Sequence, residues 1–99
     1  MITRTTRRTI SKKDQVIAHD SKRFWLCNGA VLSNLSDLKQ ALANMSDKDY
    51  CHHVGLRRND FAAWVEIVLL DAKCAKDLRG ASTRSQAGKV ITKHLSRYV

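Results

Sequence analysis

Apolar positions along the chain follow two periods. In the stretch RFWLCNGAVLSN (residues 23–34), two short apolar runs flank Asn28-Gly29. That is the signature of a β-hairpin, and Asn-Gly suits a type I′ turn because both central residues need positive φ. Alternation puts Phe24 and Leu26 on one face and Trp25 and Cys27 on the other. A lone two-stranded ribbon is marginally stable, so one face is expected to lie on helices.

Beyond the hairpin the period becomes helical. Leu35, Leu38, Leu42 and Met45 recur at three- and four-residue steps, with Ser36-Asp37 as the expected start of the helix. Ser46-Asp47-Lys48-Asp49 resembles a capping box with Asp in place of Glu, opening a short helix through Tyr50 and His53 that stops at Gly55 as a left-handed terminator. Asn59 caps a third helix, in which Phe61, Trp64, Val65 and Val68 form the apolar stripe and Ile67, Leu69 and Leu70 widen it. Asp71 permits a break, then a short helix through Ala75 and Leu78 ends at Gly80. Ser82 or Thr83 caps a last helix to about Arg97. It turns Ala87, Val90, Ile91, His94, Leu95 and Tyr98 inward and leaves Lys89, Lys93 and Arg97 as an outer basic stripe. No proline interrupts any of these segments. The expected fold class is α+β and mainly helical, with an N-terminal β-hairpin packed on four to five short helices. A single globular domain spans residues 21–99, preceded by a flexible basic arm over residues 1–20.

Length and charge add the next constraint. The 99 residues make one domain with a modest core, 43% of them apolar. Eighteen Lys and Arg against nine acids give a net charge of +9. The excess sits at the ends: residues 1–23 carry net +5, residues 24–72 net −2 and residues 73–99 net +6. Basic ends around a neutral middle favour polyanions, nucleic acid first, although charge retained for solubility gives the same totals. Cys27, Cys51 and Cys74 form no CxxC pair, and an odd number argues against a secreted disulfide framework. No apolar run approaches a membrane span, and no uncharged h-region follows the basic N-terminus. The expectation is a cytoplasmic protein with no membrane partner, nucleoid-associated if its ligand is DNA.

The stretch HHVGLRRNDFAAWV (52–65) gathers the residue types that carry chemistry. Cys51, His52 and His53 include zinc-type ligands, but neighbours on a helix point about 100° apart, and no second ligand pair lies at zinc spacing. Cys27 joins them only if the hairpin packs on the second helix. No metal and no cofactor are therefore expected. A Cys-His nucleophile pair lacks an evident orienting group and oxyanion hole, so no enzyme is expected and no catalytic residue is assigned. Arg57 and Arg58, just before a capped helix, suit phosphate or stand as ordinary surface arginines. Arg4, Arg7, Arg8, Lys12 and Lys13, interleaved with hydroxyls, suit backbone phosphates better.

The pattern Phe24-x-Leu26-x-x-Gly29, Leu35-x-x-Leu38, Leu42-x-x-Met45, His53-Val54 and Asn59-Asp60-Phe61-Ala62-x-Trp64-Val65 resembles a small domain of unknown function from archaea and bacteria. The resemblance covers residues 24–79 and omits both basic ends. Where that family has a Gly-Asp turn after the Trp helix, this chain has Leu70-Asp71. The resemblance implies no activity; it implies that His53, Asn59, Asp60, Phe61 and Trp64 act as a unit. The functional expectation is a non-enzymatic nucleic-acid-binding accessory protein of low sequence specificity, for DNA or RNA. Its contacts are Arg4, Arg7, Arg8, Lys12 and Lys13 on the arm, Arg57 and Arg58 at the turn, and Lys89, Lys93 and Arg97 on the last helix. The other reading is a protein-interaction module or small regulator that docks a protein partner through the hairpin face, with Trp25 as its discriminating residue.

Overall fold

The computed structural model describes residues 14–98. Among them are two small antiparallel hairpins and five helices. In chain order these are β1 (Phe24–Trp25), β2 (Val31–Leu32), α1 (Leu35–Asn44), α2 (Asp47–His53), β3 (Val54–Gly55), β4 (Arg58–Asn59), α3 (Asp60–Ile67), α4 (Ala72–Arg79) and α5 (Arg84–Leu95). A single 3₁₀ turn, Asp20–Lys22, precedes β1. The mainly helical α+β architecture is as expected. Its core is built where α3 packs on α4, α1 on α5 and α4 on α5, with the first hairpin against α2 and α3.

The hairpin alternates as the sequence implies. Phe24 faces Leu32 and Trp25 faces Val31; Leu26 is buried, Phe24 packs on the core, and Trp25 and Cys27 are exposed. Its turn is not type I′. Leu26 N–H donates to the Ala30 carbonyl and Gly29 N–H to the Leu26 carbonyl, and only Gly29, at φ +95°, is left-handed. This is a three-residue loop, a type I turn closed by a glycine bulge. Asn28 keeps negative φ and braces the loop by accepting from Ala30 N–H through Oδ1.

Five side-chain caps start the helices: Asn34, Ser46, Asn59, Asp71 and Thr83 each accept a first-turn backbone N–H. The expected start of α1 at Ser36 is displaced to Asn34, whose Oδ1 accepts from Asp37 N–H while Asp37 accepts in return from Ser33 N–H. Leu35, Leu38, Leu42 and Met45 are all buried. Gly55 is not a left-handed terminator. The chain leaves α2 at His53 in extended conformation, and Val54-Gly55 pair with Arg58-Asn59 around a Leu56-Arg57 turn.

Phe61 is the centre of the aromatic core. Phe24 stacks on it at 5.1 Å and Tyr50 at 5.9 Å, with His53 tilted against it at 5.3 Å. Trp64 buries its ring and donates Nε1–H to the Lys22 carbonyl at 2.8 Å, tying the 3₁₀ turn to α3. The apolar face expected to widen through Ile67, Leu69 and Leu70 breaks up. α3 stops at Ile67, and Leu70 takes φ +61° to swing the chain into Asp71, so Leu69 is buried while Ile67 and Leu70 face solvent. Ahead of the hairpin, Ala18 is buried and donates its N–H to the Ser33 carbonyl, and Gln15 Oε1 accepts from Ser36 N–H. The last residues of the segment expected as an arm therefore rest on the domain.

Candidate functional site

The amphipathic stripes of α1 and α5 bring these helices side by side, and their polar edges bound a groove of about 630 Å³. Lys39 and Ala43 come from α1; Arg84, Ser85, Gly88, Lys89, Thr92 and Lys93 come from α5 at successive turns. Leu42 and the small residues Ala43, Ser85 and Gly88 also line it, and a Cβ on Gly88 would meet nothing within 4 Å. Four cationic side chains line this groove and no acidic residue does. Two are committed elsewhere. Arg84 Nη1 donates to the Leu42 carbonyl at 2.6 Å, closing the C-terminal end of α1, and its Nε meets Asp47 at 2.9 Å. Lys93 lies 3.9 Å from Asp77. Lys39 and Lys89 have no ion-pair partner among the described residues.

The residues expected to contact phosphate are thus distributed in three places. Lys89 and Lys93 lie in the groove. Arg97 does not continue their stripe: α5 ends at Leu95, and Arg97 Nη1 folds back to donate to His94 Nδ1 at 3.0 Å. Arg57 and Arg58 border a separate hollow of about 290 Å³ beside Arg79. There Arg58 donates to the His52 carbonyl and approaches Asp60 at 3.6 Å, and Arg79 pairs with Glu66 at 2.8 Å. Arg4, Arg7, Arg8, Lys12 and Lys13 lie outside the described residues. Lys39 and Arg84 were not identified from sequence. The trace they leave is Ser85, Gly88, Lys89, Thr92 and Lys93 at helical spacing, a small-and-basic stripe whose facing partner only the packing of α1 reveals.

Around His53, Asp60 bonds the ring and Phe61 packs against it, with Trp64 joined through Phe24. His53 is buried, with Nδ1 3.1 Å from Asp60 Oδ2 and Nε2 3.2 Å from Cys27 N–H. Because Nε2 must accept from an amide, the ring proton is assigned to Nδ1, which donates to Asp60. Asn59 caps α3 through Oδ1 and reaches the Leu78 carbonyl through Nδ2 at 3.3 Å. The first hairpin therefore does pack on α2, and one condition against a metal cluster is removed. The ligand atoms of Cys27, His52 and His53 lie within 4.8 Å of one another, with the two imidazoles edge to face at 4.9 Å.

A second cluster joins α4 to the end of α5. Tyr98 Oη donates to Asp71 at 2.5 Å, and His94 Nε2 to Asp77 at 2.7 Å. Burial pushes the Asp71 carboxyl up, but the bonds from Tyr98 and Cys74 N–H and the charge of Arg97 outweigh it and hold Asp71 below its ordinary value. The Nε2–H bond of His94 holds the Asp77 carboxyl down as well. Burial, then the charges of Asp71 and Asp77, push the Cys74 thiol up to about 12, so it is a protonated, inert packing group. Asp71, Cys74 and His94 are buried and satisfied, Asp77 stands at the solvent edge, and the cluster closes the fold. Comparison with protein-family models finds no match for the chain, and neither do comparisons with curated proteins and with solved structures.

Proposed function

We propose that this protein binds the phosphate backbone of nucleic acid, without catalysis, through the α1–α5 groove. The observation that carries the reading is the lining of that groove: Lys39, Arg84, Lys89 and Lys93 with no acidic side chain among them. Unpaired ammonium groups along a trough replace condensed counterions on a phosphate chain, which makes binding strong at low salt and nearly indifferent to sequence. The basic segment with Arg4, Arg7, Arg8, Lys12 and Lys13 adds charge of the same sign, and Arg57 offers a secondary contact. This reading places the protein in the cytoplasm with its nucleic acid. The test is a fluorescence titration of labelled duplex and single-stranded oligonucleotides at two salt concentrations. Binding is expected near 50 mM salt and falls steeply by 200 mM. No binding of either form at the lower salt rejects it.

One observation favours a second reading, a protein-interaction module. Trp25 is 69% exposed and has only Val31, itself 36% exposed, across the strand pair. An exposed Trp beside an apolar neighbour suits a protein interface. Pull-down with and without nuclease separates the two: partners lost with nuclease belong to the groove, and partners retained but lost in Trp25→Ala belong to the hairpin.

A further inference from the structure

We propose that Cys27, His52 and His53 form a binding site for a zinc-class divalent metal ion, independent of the nucleic-acid reading. The three come from two parts of the chain, the loop of the first hairpin and the last turn of α2, and tertiary packing alone assembles them. One thiolate and two imidazoles form the ligand set that borderline-soft ions select. With Zn–S near 2.3 Å and Zn–N near 2.0–2.1 Å, ligand atoms of a tetrahedral ion stand about 3.5 Å apart. Closing the present limit of 4.8 Å to that value takes rotation of the exposed Cys27 and His52 side chains together with withdrawal of the Cys27 amide from His53 Nε2, a shift of the hairpin loop.

His53 is already oriented as a ligating histidine. Asp60 accepts a hydrogen bond from Nδ1–H, which fixes the tautomer and aims the Nε2 lone pair at Cys27. That lone pair now accepts a long bond from Cys27 N–H, which a metal displaces. The Asp49 carbonyl lies 4.0 Å from Cys27 Sγ and the Asp60 carboxylate stands behind His53, so both add negative potential. Arg58 opposes them but is held to the His52 carbonyl and Asp60, where it fixes the end of α2. Binding replaces the thiol S–H bond with an S–metal bond and releases one proton to solvent; the remaining coordination position is open to water.

The test uses the full-length chain, stripped with chelator and titrated with Co²⁺. One ion per chain is expected. The thiolate-to-cobalt charge-transfer band appears in the near ultraviolet, and Zn²⁺ abolishes it on displacing the cobalt. Cys27→Ser removes the band with unchanged circular dichroism, while Cys51→Ser keeps it. His52→Ala weakens affinity, and Asp60→Asn weakens it by about 10- to 100-fold through loss of the carboxylate behind His53. These variants avoid replacing the buried His53, whose loss endangers the fold. No charge-transfer band with the wild-type chain, a band that survives Cys27→Ser, or a band lost in Cys51→Ser overturns the proposal. A Lys39→Ala/Lys89→Ala chain keeps the metal site, so failure of the groove and failure of this site read separately.

Discussion

The groove between α1 and α5 and the hollow beside the second hairpin are both basic, yet their cations are used differently. At the hollow, Arg58 and Arg79 are engaged by the His52 carbonyl, Asp60 and Glu66, which leaves Arg57 as the cation without a described partner. In the groove, Lys39 and Lys89 are unpaired among the described residues, and the two engaged cations remain on its wall. Counting cations gives four in one place and three in the other, which does not distinguish them. What distinguishes them is how much of each charge is already neutralised, since a paired guanidinium has less left to offer a phosphate.

The comparison can be broken at graded points. Lys39→Ala with Lys89→Ala is expected to have the largest effect: affinity for a labelled duplex falls roughly 50-fold at 0.1 M salt, and the salt slope shrinks by about 2. Equal binding by the double variant removes the distinction. Arg84→Ala is expected to act on the fold instead, lowering stability by about 1–2 kcal/mol in urea unfolding because the Leu42 carbonyl loses its donor, with little change in salt slope. Arg58→Ala and Arg79→Ala each cost up to about 1 kcal/mol and leave nucleic-acid affinity within twofold. Asp77→Asn runs the experiment in reverse. It keeps an acceptor for His94 Nε2–H but releases Lys93, so binding tightens a few-fold. The carboxyl of Asp77 is held below its ordinary value, so acidification to pH 5 does not substitute for the mutation. Arg57→Ala, which removes the hollow's cation without a described partner, is expected to leave stability unchanged and to weaken binding by about twofold; a loss equal to that of Lys89→Ala would join the two regions into one footprint.

Most of the fold was legible because apolar spacing and cap residues are local. The stripe Leu35, Leu38, Leu42 and Met45, the Asn59 cap and the inward set of α5 needed no tertiary knowledge. The misreadings occurred where a local signal had two outcomes. Asn-Gly serves a type I′ turn or a glycine bulge, and the register Phe24 to Leu32 decides. Gly55 suits a helix terminator or a strand, and pairing with Arg58 decides. Leu70 carries no sequence mark of a left-handed residue, so apolar spacing alone extends α3 past its true end at Ile67. The groove was half legible: Lys89 and Lys93 follow from helical period, but Lys39 faces them only because α1 lies on α5. Arg97 was lost to the stripe because the helix ends two residues earlier and His94 recruits its guanidinium.

The two tryptophans make the molecule its own pair of optical probes. Trp64, 7% exposed and bonded to the Lys22 carbonyl, emits from the core and reports unfolding. Trp25, 69% exposed on the strand that leads to Cys27, emits from solvent beside the proposed metal site. An aqueous quencher therefore silences one and spares the other, so folding and events at the hairpin can be followed in the same cuvette without any attached label.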